Sequence, residues 1–225
     1  MPRPPRVLFA NQYYHVLNRA NRGGDVFHTP ADFHAFIALI RRAQDLVELP
    51  IVAACLMPNH VHLVVHPRGA QDIPRWTRWL FTTHVRHYHE KYGTSGRLWQ
   101  GRYKSFLSQD DHYLLTLIRY VERNALRKGL VERAEDWRWG SLSWRLGDRP
   151  ALSLEAPPLA LPGNWREFVN LPQTAAELQA IRTSVNRERP FGDPEWTQDK
   201  ARKAGLNQSL RNVGRPRKRR CGPIS

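Results

Sequence analysis

Polar and apolar positions alternate along residues 11–19, where Tyr13, His15 and Leu17 oppose Tyr14, Val16 and Asn18, and that period of two predicts a first strand. The period then lengthens. Thr29 as N-cap, Pro30 at the first helical position and Asp32 in a capping box open a helix. Phe33, Phe36, Ile37, Ile40 and Val47 supply its core-facing stripe. Residues 49–56 read as a second strand, joined through Met57-Pro58-Asn59 to a third over 60–66, so the two pair as a hairpin. Residues 72–92 read as a second long helix, with Trp76, Trp79, Leu80 and Phe81 toward its start, and Gly93 to Gly96 break the chain. A strand over 98–106 follows, then a helix capped by Asp110 that runs to about Lys128 on a stripe of Leu114, Ile118, Val121 and Ala125. The aromatic segment from Trp137 to Trp144 closes this unit against the core.

Beyond it the pattern loosens. Seven prolines fall from Pro150 to Pro194 inclusive, which predicts a linker or a wrapped extension. Short helices are expected over 174–187, with Leu178, Ile181 and Val185 as the stripe, and over 194–204, ending at Gly205. The expected division is a first domain over 1–148 and a second segment over 149–225 of Pro-rich linker, short helices and basic tail. Residues 213–220 are extended and basic, and Gly214-Arg215-Pro216 looks like an AT-hook that reads a narrow minor groove, with Arg215, Arg217 and Lys218 as its contacts.

Charge narrows the partner. The formal net charge is +15, and the last 25 residues hold eight Lys or Arg with no acid, so the preceding 200 still carry +7. A polyanion follows, nucleic acid ahead of a membrane surface. Eight Trp, seven Tyr and eight Phe interleaved with Arg suit a surface that stacks on unpaired bases. No apolar run approaches the roughly 20 residues of a membrane span, and the first six residues lack the apolar core of a signal peptide. Cys55 and Cys221 stand too far apart in sequence and context to suggest a disulfide framework. The expected compartment is the cytoplasm, with the protein at the nucleoid.

The third strand carries the candidate chemistry. His60, His62, Val64 and His66 face one way, and Val61, Leu63 and Val65 the other. Two imidazoles thus lie about 7 Å apart along a rigid element with an apolar back. A metal site and a plain solvated sheet face are both compatible with His-x-His alone. Tyr120 and Asn124, four apart, share one helix face about 100° round from Val121. A helix tyrosine is most often a packing residue with a wet tip. His84, His87 and His89 read as a polar helix face. Asn18, Arg19 and Arg22 leave the first strand in a basic, glycine-containing loop, and Arg102 and Lys104 share a strand face with Gln100. Both groups suit a nucleic-acid backbone.

These blocks have a common explanation. Met57-Pro-Asn-His-Val-His-Leu-Val-Val65, then Leu98-Trp-Gln-Gly-Arg-Tyr-Lys-Ser105, then Leu114 to Asn124 ending Arg-Tyr-Val-Glu-Arg-Asn, resemble in order and spacing the REP-associated tyrosine transposases, relatives of the single-tyrosine HUH transposases. The likeness spans roughly residues 11–145. Ala125-Leu126 stand where members often carry Pro-Val; alanine extends a helix more readily, so the departure spares the site. The resemblance implies an α+β, ferredoxin-like layer with a central antiparallel sheet and packed helices. It implies Tyr120 as nucleophile and His60, His62 and Asn124 as ligands of Mg²⁺ or Mn²⁺. The implied substrate is single-stranded DNA beside a REP-like hairpin, cleaved and rejoined through a 5′-phosphotyrosine. Arg19, Arg22, Arg102, Lys104, Arg123 and Arg127 are the candidate backbone contacts.

The residue types suit that chemistry independently. An ordinary tyrosine is only about 0.1% phenolate at pH 7, a deficit of about 4 kcal/mol, which a metal polarising the phosphate can offset. Two imidazoles and an amide leave coordination positions open, and Mn²⁺ matches imidazole better than Mg²⁺. A covalent intermediate conserves the bond energy, so no nucleotide cofactor is expected, and no Walker-type loop is present. Two rivals remain: a module that binds hairpins without cutting, and a zinc hydrolase built on His60, His62 and His66, which lacks a nearby carboxylate base.

Overall fold

The computed structural model describes residues 6–148 and 150–211. Strand β1 (Tyr13–Arg19) leads through a 3₁₀ turn to helix α1 (Pro30–Leu46), then to the hairpin of β2 (Ile51–Met57) and β3 (His60–Val65). Helix α2 (Asp72–Tyr92) returns the chain to β4 (Lys104–Ser108). The sheet order is β2-β3-β1-β4, and every neighbouring pair is antiparallel. This β-α-β-β-α-β path is the ferredoxin-like α+β arrangement expected.

Alternation along the strands divides the apolar residues between two faces. Val16, Leu56, Val61, Leu63 and Val65 join Phe36, Ile40, Trp76 and Leu80 of α1 and α2 in one core. Tyr13, Cys55, Val64 and Phe106 face the other way. The predicted capping box of α1 is present, and Asp32 does more than cap: its carboxylate accepts from the backbone N–H groups of His28 and Thr29, from Tyr92 and from Lys91. Burial alone would raise its pKa, but the hydrogen bonds from Lys91, Tyr92, Thr29 and His28 outweigh that and hold it far below the usual carboxylate range. The start of α1 is thereby fastened to the end of α2.

The second face is covered by helix α3 (His112–Glu122). Here the structure differs from the sequence expectation in three places. The cap is Asp111, whose carboxylate accepts from the Tyr113 N–H, and not Asp110. The helix does not run unbroken to residue 128. It stops at Arg123, whose backbone leaves the helical region, and resumes as α4 (Asn124–Arg127). Asparagine is a weak helix former, and this one has its side chain engaged elsewhere. Third, residues 98–103 are not strand: Trp99 makes a single bridge to Ala20, and Gly101, at φ +126°, turns the chain before β4 begins at Lys104. The common strand face of Gln100, Arg102 and Lys104 therefore does not form.

The remaining chain wraps round this layer. The Trp137–Gly140 segment covers the outer edge of β2, with Leu56 N–H donating to the Trp139 carbonyl and Trp137 Nε1 donating to the Leu56 carbonyl. Helices α5 (Ser141–Leu146), α6 (Trp165–Asn170) and α7 (Ala175–Arg187) follow, and Leu142, Trp165, Val169 and Ile181 bury into the α3 core. The expected stripe of α7 is in place, as is a capping box at Thr174. Phe191 bridges to the far end of β4, and Gly192 permits that approach, since a Cβ there would lie 2.5 Å from Gln109 Oε1. Helices α8 (Pro194–Lys203) and α9 (Asn207–Leu210) end the described chain. The AT-hook-like stretch, with Arg215, Arg217 and Lys218, lies outside the described residues. No helix among the described residues is long and apolar enough to cross a membrane.

Candidate active site

Strand β3 presents His60 and His62 toward α3, with ring centroids 4.9 Å apart and planes at 78°. The alternation that buries Val61 and Leu63 under α1 and α2 leaves these rings on the opposite face. That face is covered, not solvated: His62 is only 4% exposed.

Each ring is held by a neighbour that carried no signal at the sequence level. Nδ1 of His60 lies 2.6 Å from Asn59 Oδ1. A carboxamide oxygen can only accept, so His60 carries its proton on Nδ1 and a lone pair on Nε2. Nδ1 of His62 lies 2.8 Å from Nε2 of His15, a buried residue of β1 on the diagonal position across the ladder. The two nitrogens share one proton, and when it sits on Nδ1 of His62 that ring keeps a lone pair on Nε2. In the sequence Asn59 is turn chemistry and His15 one position in a strand. Nothing in a single sequence distinguishes them from their neighbours, because the strand pairing that brings them in is a long-range event.

Protonation is disfavoured throughout. Burial, reinforced by Arg19, Lys128 and Arg127, pushes the His60 pKa down to about 4. Burial and the nearby His60 lower His15 to about 3. Burial, His60 and His15 place His62 well below the ordinary value. All three rings are neutral at pH 7, the state a ligand needs.

Tyr120, in the last turn of α3, meets His62 edge-on with ring centroids 5.9 Å apart. Asn124, one turn further and 1% exposed, places Nδ2 3.4 Å from Nε2 of His60. The tyrosine ring, the amide and the two imidazoles expected from separate parts of the chain thus lie in one cluster. Arg127 joins them: it donates to Asn124 Oδ1 at 2.7 Å and to the Tyr120 carbonyl at 3.1 Å, and its guanidinium lies 4.0 Å from the Tyr120 ring centroid. Arg127 is therefore engaged inside the site and is not a freely exposed backbone contact.

The other candidates scatter more widely. Arg19, Arg22, Arg102 and Lys104 are exposed. Asn18 is buried and accepts from the Arg19 N–H. Arg123 is half-buried, with its Nε enclosed. His66 turns to Glu155, at 2.5 Å, and stacks on Tyr13. That partnership removes it from His60 and His62. His84 is packed among Phe27, Phe36 and Trp99.

Among the described residues no three His, Cys, Asp or Glu gather as a metal cage. The candidate donor set is two imidazoles and one carboxamide, and it suits a divalent ion in two respects: both rings are neutral, and Asn59 constrains Nε2 of His60 to be a lone pair. The third donor is conditional. Asn124 now turns its nitrogen toward His60 while Arg127 holds its oxygen, so that oxygen would have to be shared between Arg127 and the ion. The surrounding cations Arg19, Lys128 and Arg127 favour an anion at the same point.

Comparison with known proteins identifies the family and the fold. Residues 9–124 match the family model described as "Transposase IS200 like". A Haemophilus influenzae protein named "Putative REP-associated tyrosine transposase" is 30% identical over 101 residues, which cover 40% of this chain and 57% of that protein. The chain therefore spans a little over half the length of this curated relative. The solved "Structure of the REP associates tyrosine transposase bound to a REP hairpin" superposes with a TM-score of 0.53 at 17% identity. The match covers 64% of this chain and 84% of that one, a likeness of fold.

Proposed function

Because this chain belongs to the IS200-like transposase family, we propose that it cleaves and rejoins single-stranded DNA next to a hairpin, with Tyr120 as the nucleophile. The observation that carries this reading is the meeting of the α3 terminus, bearing Tyr120 and Asn124, with the His60–His62 pair on β3. The Tyr120 phenol oxygen attacks the scissile phosphorus and gives up its proton, a 5′-phosphotyrosine bond forms, and the P–O3′ bond breaks to leave a 3′-oxygen that takes up a proton and becomes a 3′-OH. Reversal by a 3′-OH reseals the strand without an external energy source. His60, His62 and Asn124 would hold Mg²⁺ or Mn²⁺, which when bound polarises the phosphate. Asn59 and His15 orient the two rings, and Arg127 steadies both Tyr120 and Asn124. Arg19 and Lys128 add positive charge where the phosphate would lie.

One observation favours a second reading, hairpin binding without cleavage: Arg127 occupies the amide oxygen of Asn124 and covers the Tyr120 ring. A single experiment separates the two. A labelled hairpin with a single-stranded flank is incubated with the protein and Mn²⁺, and covalent adduct is scored on a denaturing gel. Cleavage predicts an adduct for wild type and none for Tyr120→Phe. No adduct from wild type at any metal concentration, with the hairpin still bound, would leave the binding module standing.

A further inference from the structure

A cleft of about 1000 Å³ opens beside the candidate site and is not part of it. One wall is the outer edge of the sheet: Leu17 and Arg19 of β1, and Lys104, Ser105 and Phe106 of β4. The opposite wall is built almost wholly by residues outside the family-matched segment, namely Arg6 to Leu8 and the stretch from Val185 in α7 to Leu206 after α8, with Phe9 at the segment's first position. Six cations line it, Arg6, Arg19, Arg102, Lys104, Arg187 and Lys200, against one carboxylate, Glu188. That carboxylate is already paired with Arg6. Arg187 donates to the Gln208 carbonyl at 2.7 Å, so its charge is anchored but not neutralised. Lys200 lies 5.5 Å from the ring centroid of Phe9, a half-buried aromatic of the cleft.

The cleft borders the candidate site through β1. Arg19 and Leu17 sit opposite His60 and His62 in the β1–β3 register. Phe106, on the cleft wall, packs 4.9 Å from the His15 ring that holds His62. Cations on two facing walls with aromatic side chains between them are the features by which proteins hold an unpaired strand.

We propose that this cleft is a channel for the single-stranded DNA flanking the hairpin, with Arg187 and Lys200 of the C-terminal helices gripping phosphates across from Lys104. This rests on the reading of the protein as a hairpin-acting transposase and adds to it the route taken by the flank. It also gives the chain after residue 149 a specific task as the second wall of the channel.

The test compares two DNAs, a blunt hairpin and the same hairpin with a single-stranded flank, by fluorescence anisotropy across a salt series. The proteins are wild type and the double variant Arg187→Glu, Lys200→Glu. Losing two single-strand phosphate contacts should lower the salt slope by about 1.4, at roughly 0.7 per contact. Affinity for the flanked DNA should fall tenfold or more, while the blunt hairpin binds as before. Unchanged affinity for both DNAs overturns the channel. An equal loss for both also overturns it, because the cleft would then be holding the hairpin itself. If thermal melting shows the double variant to be unfolded, Arg187→Gln and Lys200→Gln are measured singly, each expected to lose about 0.7 of slope on flanked DNA alone. Wild-type protein binding neither DNA would remove the proposed function as well, whereas the other two negative outcomes remove the channel only.

Discussion

Replacing Glu122 by alanine should remove roughly 3–5 kcal/mol of folding stability. Glu122 lies two residues beyond Tyr120 and two before Asn124, and only 2% of it is exposed. Oε1 accepts from Ser141 Oγ at 2.7 Å and from Arg145 Nε at 2.9 Å, while Oε2 accepts from Trp165 Nε1 at 2.7 Å. One carboxylate therefore ties the end of α3 to α5 and α6. Alanine leaves a guanidinium, a hydroxyl and an indole N–H facing a hole, and breaking a buried ion pair from one side is costly because the other charge stays behind. Glutamine keeps the shape but must point its amide nitrogen at a donor, which leaves one buried group unsatisfied at about 1–3 kcal/mol. Against the 5–15 kcal/mol typical of a folded domain, the alanine loss is a large fraction. Urea unfolding followed by circular dichroism at pH 7 measures both variants, and a common m-value licenses the comparison. An alanine variant within 0.5 kcal/mol of wild type, at unchanged m, would refute the idea that this carboxylate anchors the helix carrying Tyr120.

Two further outcomes are expected. His15→Phe, which removes the hydrogen-bond partner of His62 Nδ1, should weaken Mn²⁺ binding by about 10- to 100-fold, and His15→Gln should restore most of it through its carbonyl. Manganese binding measured by paramagnetic resonance checks this, and equal affinity for His15→Phe and wild type would show that His15 does not orient the ring. His84 should make the fold acid-sensitive. Burial, with His87 adding to it against the opposing effect of Asp32, pushes its pKa down to about 3, so the unfolded chain binds the extra proton first. Its contribution is complete above the ordinary histidine value near 6.5 and drains as pH falls toward 3. His84→Leu should flatten the decline in unfolding free energy between pH 6 and 4 by up to about 1.4 kcal/mol per pH unit. Parallel slopes for the two proteins would contradict it.

Much of this was legible in the chain because local physics wrote it there. The capping box at Thr29, the span of α2 and the alternation of β3 depend on residues within a turn or two of one another. Period and capping are enough to find them. The departures fall where a nonlocal partner outvotes the local pattern. Residues 98–103 have strand-forming side chains, yet a glycine at positive φ and the pairing limits of β1 shorten the strand. The third helix keeps its apolar repeat past Arg123, but the Asn124 side chain is committed to His60 and Arg127.

The sequence by itself determined the parts: two imidazoles one strand-repeat apart, a phenol and an amide one helical turn apart, and a surplus of cations. Their spacing along the chain is set by bond geometry and needs no fold. Only the tertiary structure decided what they meet. Burying one face of β3 under α1 and α2 turns the histidines toward α3, and antiparallel pairing with β1 sets His15 behind His62. The α5–α6 anchors hold Tyr120 and Asn124 over both rings, and the C-terminal helices raise a basic wall opposite β4. None of these contacts joins residues near in sequence, so no local pattern could carry them.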